Sequence, residues 1–443
     1  MNLFFLSLGC DKNLCDTEHM LKLLADDGFT LTDNEEEADV AIVNSCSFIG
    51  DAKEESIAEI LRLAEYKKTG RLKALIVTGC LAQRYGDEFE TALPEVDGIL
   101  GTTSWDRIAD IVQEALLKKQ PKLFLPEDRL PKCEGRILTT GGHYAYLKIA
   151  EGCNKNCTYC IIPSLRGPYR SVPEEELLKE AEELAAGGVS ELILVAQETT
   201  LYGVDLYGEK RLPELLKKLA LIPGIQWIRV LYAYPEEITD ELLTVMREEE
   251  KIVRYLDLPI QHSSDRILTA MGRKTRRSEI EERIERIRTL VPDVTLRTTL
   301  ITGFPGETEE DVKDLLDFVE KNRFDRLGVF CYSREEGTRA AKMKGQVQKR
   351  IKEKRRDQVM ALQQEIVFQE AEKKVGKVYT CMVEGRLTGE GEENTYVARS
   401  EMDAPDVDGY VFFQSDYDLL SGTFVRIRIT AAREYDLVGE LLE

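Results

Sequence analysis

Short apolar runs that alternate with helix-compatible segments limit this chain to a small number of folds. In the first part of the chain the runs are residues 3–8, 40–43 and 74–77, and polar stretches such as 17–26 and 53–66 follow them. Such alternation predicts parallel strands covered by helices. The sequence therefore predicts an α/β protein that begins with a parallel-sheet domain over residues 1–120.

A second series of strand-and-helix units follows residues 121–140. This segment is rich in proline, glycine and charge, and its composition predicts a linker. The strands expected after it are residues 144–149, 191–195, 227–232, 255–260, 295–301 and 327–332. Six parallel units joined by short connections predict a partial (βα)6 barrel over residues 141–341, with its chemistry at the carboxyl ends of the strands.

The C-terminal part of the chain has a different pattern. Residues 342–375 are charged and helix-compatible, and they predict a helix that connects two domains. In residues 376–443, short β-branched and aromatic runs occur without helices between them. They predict a small antiparallel β-barrel of the OB-like kind.

The composition excludes several classes of protein. The 443 residues include 60 basic and 81 acidic side chains, and the formal net charge of −21 disfavours broad binding to nucleic acid. Hydrophobic residues make up 43%, which excludes disorder as the main state. No apolar run approaches the ~20 residues that a membrane span needs, so we expect a cytoplasmic protein without a membrane partner. In that reducing compartment, grouped cysteines indicate metal binding or catalysis.

Cys153, Cys157 and Cys160 form a C-x3-C-x2-C motif directly after the first expected barrel strand. Three thiolates on one short loop suit a metal centre, whereas a structural zinc site and an ordinary iron–sulfur cubane each take four ligands. Three cysteines leave one iron of a cubane without a protein ligand, and an open coordination position is typical of a reactive site. The alternative is a zinc site with a distant fourth ligand.

Cys10, Cys46 and Cys80 form a second set. Each follows one of the first three expected strands, and the separations are 36 and 34 residues. The carboxyl ends of parallel strands lie along one edge of a sheet, where ligands also bind. The sequence therefore predicts that these three thiols can converge at that edge.

The first cysteine motif, with Tyr159 before its last cysteine, resembles that of the radical S-adenosylmethionine (SAM) enzymes. The resemblance implies that Cys153, Cys157 and Cys160 hold a catalytic 4Fe-4S cluster whose open iron binds SAM. One electron from that cluster then splits SAM into methionine and a 5′-deoxyadenosyl radical. Removing hydrogen from an unactivated carbon is beyond a side-chain base, so a cofactor must supply this step.

The resemblance extends over the whole chain to the methylthiotransferases. That family combines an N-terminal α/β domain, a radical-SAM barrel and a C-terminal barrel called TRAM. Its three N-terminal cysteines hold a second 4Fe-4S cluster, and they match Cys10, Cys46 and Cys80 in this sequence. The resemblance implies two roles for SAM: one molecule methylates a sulfur on the second cluster, and another generates the radical.

Two features concern the substrate. After Cys10, Asp11-Lys12-Asn13 resembles the branch that modifies the β-carbon of an aspartate in the twelfth protein of the small ribosomal subunit, whereas the tRNA-modifying MiaB branch typically has Gln-Met-Asn. Residues 376–443 contain six basic and fourteen acidic side chains, which favours a basic ribosomal protein over tRNA. We expect transfer to the ribosomal protein, with tRNA adenosine as the alternative substrate.

The resemblance also implies partners. A reductant such as a flavodoxin or ferredoxin is expected, and contact with the ribosome is compatible with the substrate. A rival interpretation of another class is a non-catalytic iron–sulfur or zinc protein that docks on ribosomes.

Further cofactor-binding residues are expected at the rim of the barrel. Tyr159 is expected to stack on the SAM adenine, with simple packing under the cluster loop as the alternative. Gly303 and Gly306 lie where the superfamily has a SAM-binding segment, although a tight strand-to-helix turn would also use them. Gln197 and Gln261 end the second and fourth expected strands and are expected to face the rim.

The remaining polar and sulfur side chains have weaker assignments. Glu198 is expected to face the rim, and the sequence favours a structural role for His262. Arg166 and Arg170 are expected either to pair with a carboxylate of SAM or of the target aspartate, or to lie at the surface. Cys15, five residues from Cys10, is an alternative ligand for the second set, but Cys10 is preferred because it directly follows the strand, whereas Cys15 lies at the expected start of a helix. Cys133, Cys331 and Cys381 are interpreted as structural.

Overall fold

The N-terminal domain is built on a six-stranded parallel sheet in a computed structural model that describes residues 1–389 and 394–442. The strand order is β2-β1-β3-β4-β5-β6. The strands are β1 (Asn2–Ser7), β2 (Thr30–Leu31), β3 (Val40–Ser45), β4 (Ala74–Gly79), β5 (Gly98–Leu100) and β6 (Lys122–Leu123). Every residue of the central strands β3 and β4 is buried, as expected for strands covered on both faces.

Helices cover both faces of this sheet. They are α1 (Asp11–Asp26), α2 (Gly50–Ala64), α3 (Tyr66–Thr69), α4 (Cys80–Tyr85), α5 (Phe89–Ala92) and α6 (Ile108–Leu116), with short 3₁₀ turns at Glu35–Glu37 and Trp105–Arg107. Side chains from α1 and α6 form one core, and side chains from α2, α4 and α5 form another.

The sequence located the three long strands of this sheet but not β2, β5 and β6. These have two or three residues each, which is too short to show an apolar pattern. The segment predicted as a linker also differs from expectation at its start. There β6 pairs with β5, so the chain completes the first sheet before it crosses to the next domain.

The second domain is an open, parallel, six-stranded sheet that confirms the partial barrel. Its strand order is β14-β13-β12-β11-β10-β7. These strands are β7 (Tyr144–Lys148), β10 (Glu191–Val195), β11 (Trp227–Val230), β12 (Ile252–Gln261), β13 (Thr295–Thr302) and β14 (Arg326–Cys331). A small antiparallel pair, β8 (Ala150–Glu151) and β9 (Arg170–Ser171), brackets the loop that carries the cysteine motif.

Helices lie between the strands of this second sheet. They are α7 (Ile162–Arg166), α8 (Glu174–Ala186), α9 (Val204–Tyr207), α10 (Leu212–Ala220), α11 (Asp240–Glu248), α12 (Asp265–Ala270), α13 (Arg277–Leu290) and α14 (Glu309–Asn322), with a 3₁₀ turn at Pro235–Glu237. Their apolar faces pack on the outer face of the sheet and form the largest core of the protein.

The third part is a long helix, α15 (Lys349–Glu372), followed by a closed five-stranded barrel. The helix was expected from residue 342, but only a 3₁₀ turn forms at Ala340–Lys342, and Gly345 has a positive φ of 76° that interrupts helical geometry.

The barrel strands are β15 (Val378–Arg386), β16 (Thr395–Ser400), β17 (Val411–Gln414), β18 (Phe424–Arg433) and β19 (Asp436–Leu441). The predicted small antiparallel barrel is confirmed, with one pairing, between β17 and β19, that runs parallel. No helix in the described parts of the chain is long and apolar enough to cross a membrane.

The C-terminal barrel packs against the inner face of the partial barrel. The ring of Phe424 meets that of Trp227 edge to face, with centroids 4.9 Å apart, and Met382 joins the same apolar cluster. The Tyr255 hydroxyl donates to Asp408 at 2.7 Å. The barrel therefore forms one wall of the inner chamber of the radical-SAM domain.

A buried chain of charged groups crosses the same interface. Arg399 of the C-terminal barrel donates to Glu191 of β10 at 2.8 Å and to Glu384 at 2.6 Å, and Arg229 donates to Glu191 at 2.8 Å. Burial alone would raise the pKa of Glu191, but the two guanidiniums lower it below its ordinary value. The carboxylate therefore stays charged and holds the two domains together.

Replacing Arg399 by methionine is expected to lower the free energy of unfolding by about 3–5 kcal/mol, because it removes one of the two guanidiniums that compensate the buried Glu191 carboxylate. Arg428→Met is the matched control. It removes an exposed pair with Glu440 on the neighbouring strand, worth about 1 kcal/mol or less. Urea unfolding of both variants measures the difference. Equal effects would show that the buried chain of charges does not stabilise the interface.

Candidate active site

The first cysteine set lies on the loop between β8 and β9. A Cβ at Gly152 would come within 2.2 Å of the Pro168 carbonyl oxygen, so only glycine allows this loop to fold back on itself. Cys153 receives a hydrogen bond from the Lys155 backbone N–H at 3.4 Å. Burial, with a smaller contribution from the neighbouring thiols, raises the pKa of Cys153 to about 11 and that of Cys160 to about 12. The three thiols thus lie close enough to interact in a partly buried pocket.

The second cysteine set converges at the edge of the first sheet. Cys10 follows β1, Cys46 follows β3, and Cys80 begins α4 directly after β4. Gly9 has a φ of 94°, and a Cβ there would lie 2.8 Å from the Cβ of Cys46. Burial raises the pKa of Cys46 to about 12, and the thiols of Cys80 and Cys10 add to the shift. The structure therefore brings the three residues together, with Cys10 exposed and the other two buried.

The two cysteine sets adjoin each other. The Cys80 side chain packs against Ile161, which directly follows the first set, and against Leu165 of α7. Arg166, from the same helix α7, interacts with the Cys80 thiol. Its guanidinium donates to Asp16 of α1 at 2.7 Å. The strand ends of the two domains therefore face each other across Arg166.

The donor geometry does not suit a single metal ion. Within residues 1–389 and 394–442, no group of three or more His, Cys, Asp or Glu side chains is arranged to hold one ion. A zinc site needs four ligands on one ion, whereas each cysteine of a cubane binds a different iron. Each set offers three cysteines, one fewer than a structural zinc site or an ordinary cubane takes, and the assignment of both sets to clusters with an open iron stays a prediction.

A buried guanidinium beside the first set lacks hydrogen bonds. Arg273 is 6% exposed, and none of its side-chain nitrogens has a hydrogen-bond partner in the described parts of the chain. It lies over the Tyr234 ring at 4.3 Å, and Nη2 is 3.6 Å from the Glu236 carboxylate. Buried cations normally have full sets of partners, so this one is suited to bind an anionic group of a ligand.

Glu198 and Gln197 place buried acceptor oxygens beside Cys153, in contrast to the cationic Arg273. Burial raises the pKa of Glu198 to about 7, and its Oε2 atom has no hydrogen-bond partner among the described residues. The Gln197 amide donates to Glu151 at 2.8 Å, and its own oxygen is likewise buried without a described partner. A ligand with both a carboxylate and an ammonium group, as in the methionine part of SAM, would satisfy these groups together with Arg273.

Comparisons with known proteins cover all three parts of the chain. Residues 147–319 match the Radical SAM superfamily, residues 375–442 match the TRAM domain, and residues 2–101 match the Uncharacterized protein family UPF0004. A protein of Lachnoclostridium phytofermentans, named ribosomal protein uS12 methylthiotransferase RimO, is 56% identical over 99% of both chains. A protein of Clostridioides difficile with the same name is 49% identical over 98% of both chains.

The chain belongs to the RimO family. Solved structures show the same fold at low identity. The radical SAM methyltransferase TsrM from Kitasatospora setae is 13% identical, with a TM-score of 0.53 over 86% of this chain and 80% of its own. The cobalamin-dependent radical SAM enzyme OxsB is 13% identical, with a TM-score of 0.50 over 77% of this chain and 54% of its own.

The other cofactor-binding residues expected for a RimO protein lie at the rim, but their surroundings differ. Tyr159 packs against the group of apolar side chains that contains Phe304, and its hydroxyl interacts with the Cys157 thiol. A Cβ at Gly303 would meet the side chain of Lys352 at 2.2 Å, so the close approach there is to α15. Gly306 donates its backbone N–H to the Gly345 carbonyl at 2.8 Å. Contact of these residues with SAM stays a prediction.

Three further residues at the rim are now placed. Gln261 ends β12 with a positive φ of 76° and is buried, and its contact with SAM also stays a prediction. His262 is fully buried, and its Nδ1 accepts backbone N–H groups of Ser263 and Ser264 at 2.9 and 3.0 Å, while its Nε2 lies 3.7 Å from the Glu307 carboxylate. Arg170 donates to the carbonyl of Arg166 at 3.1 Å and shapes the turn after the cluster loop.

The surface alternative for Arg166 was wrong, because its guanidinium is buried between the domains. Cys15 is fully buried, and its thiol lies 3.5 Å from the Tyr146 carbonyl, away from the solvent side where Cys10 is exposed. Sequence reasoning missed Arg273, which follows a helix rather than a strand. The sequence feature that could have pointed to Arg273 is the adjacent Gly272. This glycine has a φ of 77°, and a Cβ there would meet Asn156 in the loop that carries the first cysteine set.

Proposed function

We propose that this chain transfers a methylthio group to the β-carbon of an aspartate in ribosomal protein uS12. The proposal rests above all on the adjoining position of the two cysteine sets, because sulfur delivery and hydrogen abstraction must reach the same carbon. In this proposal Cys153, Cys157 and Cys160 hold one 4Fe-4S cluster, and Cys10, Cys46 and Cys80 hold a second. The names of the L. phytofermentans and C. difficile relatives support the choice of uS12.

The residues around the first set would bind and orient SAM. When bound, the first cluster and SAM supply hydrogen abstraction, and the second cluster carries the sulfur that is transferred. Arg273 would pair with the SAM carboxylate, and Glu198 with its ammonium group. Tyr159 would lie beside the adenine, and Gln197 would accept a hydrogen bond with its free amide oxygen. The apolar walls near Phe304 would keep water away from the reacting carbon.

Arg166 would position the second cluster relative to the first. Its guanidinium interacts with the Cys80 thiol and is fixed by Asp16 and by Glu151, at 2.7 and 3.0 Å. Asp16 belongs to the N-terminal domain and Glu151 to the radical-SAM domain. The same ion pairs that join the two domains would therefore fix the separation of the two cluster sites.

Fewer acidic side chains of the C-terminal barrel are available to a basic substrate than the sequence count suggested. Among the fourteen acidic residues of the C-terminal barrel, the exposed Asp406 accepts from Tyr144 of the radical-SAM domain. Three less exposed ones, Glu384, Asp403 and Asp408, bind residues of that domain or its arginine network. They are unavailable to a basic substrate. The Asp11-Lys12-Asn13 segment beside Cys10 therefore carries more of the preference for uS12 over tRNA.

We further propose a cytoplasmic protein that receives electrons from a flavodoxin or ferredoxin and meets its substrate at or near the ribosome. The deciding experiment incubates anaerobically reconstituted enzyme with recombinant uS12, SAM and dithionite, and examines uS12 by mass spectrometry. We expect one methylthio group in place of one hydrogen on an aspartate, and no change without dithionite. Unchanged uS12 with a modified adenosine in a parallel tRNA reaction would establish the tRNA alternative. Complete absence of SAM cleavage would favour the non-catalytic alternative.

Arg273→Met is expected to weaken SAM binding by about 10- to 100-fold, since a charge-assisted hydrogen bond contributes about 1.5–3 kcal/mol. Arg276→Met is the control, because Arg276 is an exposed residue three positions away that precedes α13. Equilibrium binding of SAM to reconstituted protein measures the effect, and the absorption spectrum reports the clusters. Unchanged affinity with intact clusters would remove Arg273 from the SAM site.

A further inference from the structure

Lys12 places a buried ammonium group beside the second cysteine set. The residue is 7% exposed, and its Nζ atom lies 2.7 Å from Asp11 Oδ1 and 3.3 Å from the centre of the Tyr232 ring. The Tyr232 hydroxyl donates to the same Asp11 oxygen at 3.3 Å. Only Asp11 separates Lys12 from the exposed Cys10 in the chain. The Lys12 ammonium group is thus held close to the Cys10 thiol, which is exposed to solvent.

Neither helix formation nor packing explains a lysine at this position. Lys12 lies in the first turn of α1, where the unpaired N–H groups carry partial positive charge and favour acidic residues. Burying an ion pair also carries a large desolvation cost, so an apolar pair of similar volume is often at least as stable. Residues that break a local rule without a structural gain tend to lie at functional sites.

The surroundings of Lys12 belong to both domains. Tyr232 follows β11 at the carboxyl end of that strand and has a positive φ of 58°, which is rare for an aromatic residue. Its backbone N–H donates to Asp257 Oδ2 at 3.2 Å, which fixes the strained turn. The other Asp257 oxygen is buried without a hydrogen-bond partner among the described residues. The cation therefore lies where α1 closes over the inner chamber of the barrel.

We propose that Lys12 binds the side-chain carboxylate of the substrate aspartate. An ammonium group has three donors. Asp11 accepts from one of them and orients the group, and the Tyr232 ring stabilises its charge from the side. An incoming carboxylate would accept from another, beside the positive end of α1. This inference rests on the proposed function and identifies the feature that selects an aspartate.

The position of Lys12 favours this ligand over the carboxylate of SAM. Lys12 lies on the side of Cys10 and the second cysteine set, whereas Arg273 lies beside Cys157 of the first. A carboxylate held at Lys12 would keep the adjacent β-carbon close to Cys10. The same site would disfavour asparagine, because a neutral amide interacts more weakly with an ammonium group than a carboxylate does.

The test is a double-mutant cycle on binding, without turnover. Fluorescence anisotropy measures the affinity of reconstituted enzyme, without reductant, for labelled uS12 and for uS12 with the modified aspartate changed to asparagine. The unaltered enzyme is expected to bind the aspartate form about 10- to 100-fold more tightly. In Lys12→Met this preference should fall to about onefold, while Lys12→Arg should keep part of it.

Two further variants guard against indirect effects. Lys122→Met is the matched control, because Lys122 also pairs with an aspartate, Asp87 at 2.6 Å, and lies near an aromatic ring, Phe124. Its preference for aspartate should remain. The double variant Asp11→Asn with Lys12→Met removes both members of the buried pair and avoids a stranded carboxylate, and it should also lose the preference.

The possible outcomes separate this inference from the proposed function. If the unaltered enzyme modifies uS12 but Lys12→Met and the double variant keep the full preference, or weaken both forms of uS12 equally, the Lys12 site is wrong and the function stands. If the unaltered enzyme does not modify uS12 at all, both proposals fall.

Discussion

Cys157→Ala protein is expected to cleave SAM at least about 10³-fold more slowly than the unaltered enzyme. Enzymes accelerate their reactions by about 10⁶-fold or more, and here the cofactor carries the difficult step. Without Cys157, only two thiols remain on the loop between β8 and β9. Formation of 5′-deoxyadenosine under dithionite, followed by chromatography, measures the loss.

Cys331→Ala is the control for this prediction. Cys331 is a partly buried cysteine at the end of β14, outside both sets, and its loss should leave SAM cleavage within about twofold of normal. Cleavage by Cys157→Ala at a rate close to normal would contradict the assignment of the first set to the radical-generating cluster.

Cys10→Ala is expected to separate the two halves of the reaction. SAM cleavage should persist, because the first set is intact, but methylthio transfer to uS12 should fall by at least about 10³-fold. The iron content should be about four rather than about eight atoms per chain, as expected for one 4Fe-4S cluster instead of two. Iron analysis and mass spectrometry of uS12 measure these two effects.

Cys15→Ala distinguishes the two neighbouring cysteines. Cys15 is fully buried among apolar side chains between α1 and the partial barrel of the radical-SAM domain. Its loss should therefore lower the free energy of unfolding by about 1 kcal/mol without loss of iron. If Cys15→Ala lost iron and Cys10→Ala did not, the membership of the second set would have to be revised.

The convergence of Cys10, Cys46 and Cys80 could be predicted because it follows from topology. Once the apolar runs were recognised as parallel strands, the positions after their carboxyl ends had to share one edge. The long strands were also recoverable, since β10 and β4 are continuous apolar runs. The two-residue strands β2 and β6 were not, because their pairing depends on the sheet that is already present.

Arg273 and Lys12 illustrate what the sequence could not show. The lack of hydrogen bonds at Arg273 is visible only when the turn after α12 is packed against the cluster loop. The burial of Lys12 depends on Tyr232, which comes from another domain. The charge of the C-terminal barrel was counted correctly, but the sequence could not show that Glu384 and Asp403 face inward.

The position of the C-terminal barrel against the inner face of the partial barrel has a consequence for synthesis. Trp227 and Tyr255 are translated well before Phe424 and Asp408, the residues that cover or bind them. The catalytic chamber therefore lacks a wall while the nascent chain is still emerging from the exit tunnel. Only the last stretch to be translated completes it, so a stalled or truncated chain would leave the apolar inner face of the partial barrel exposed to water.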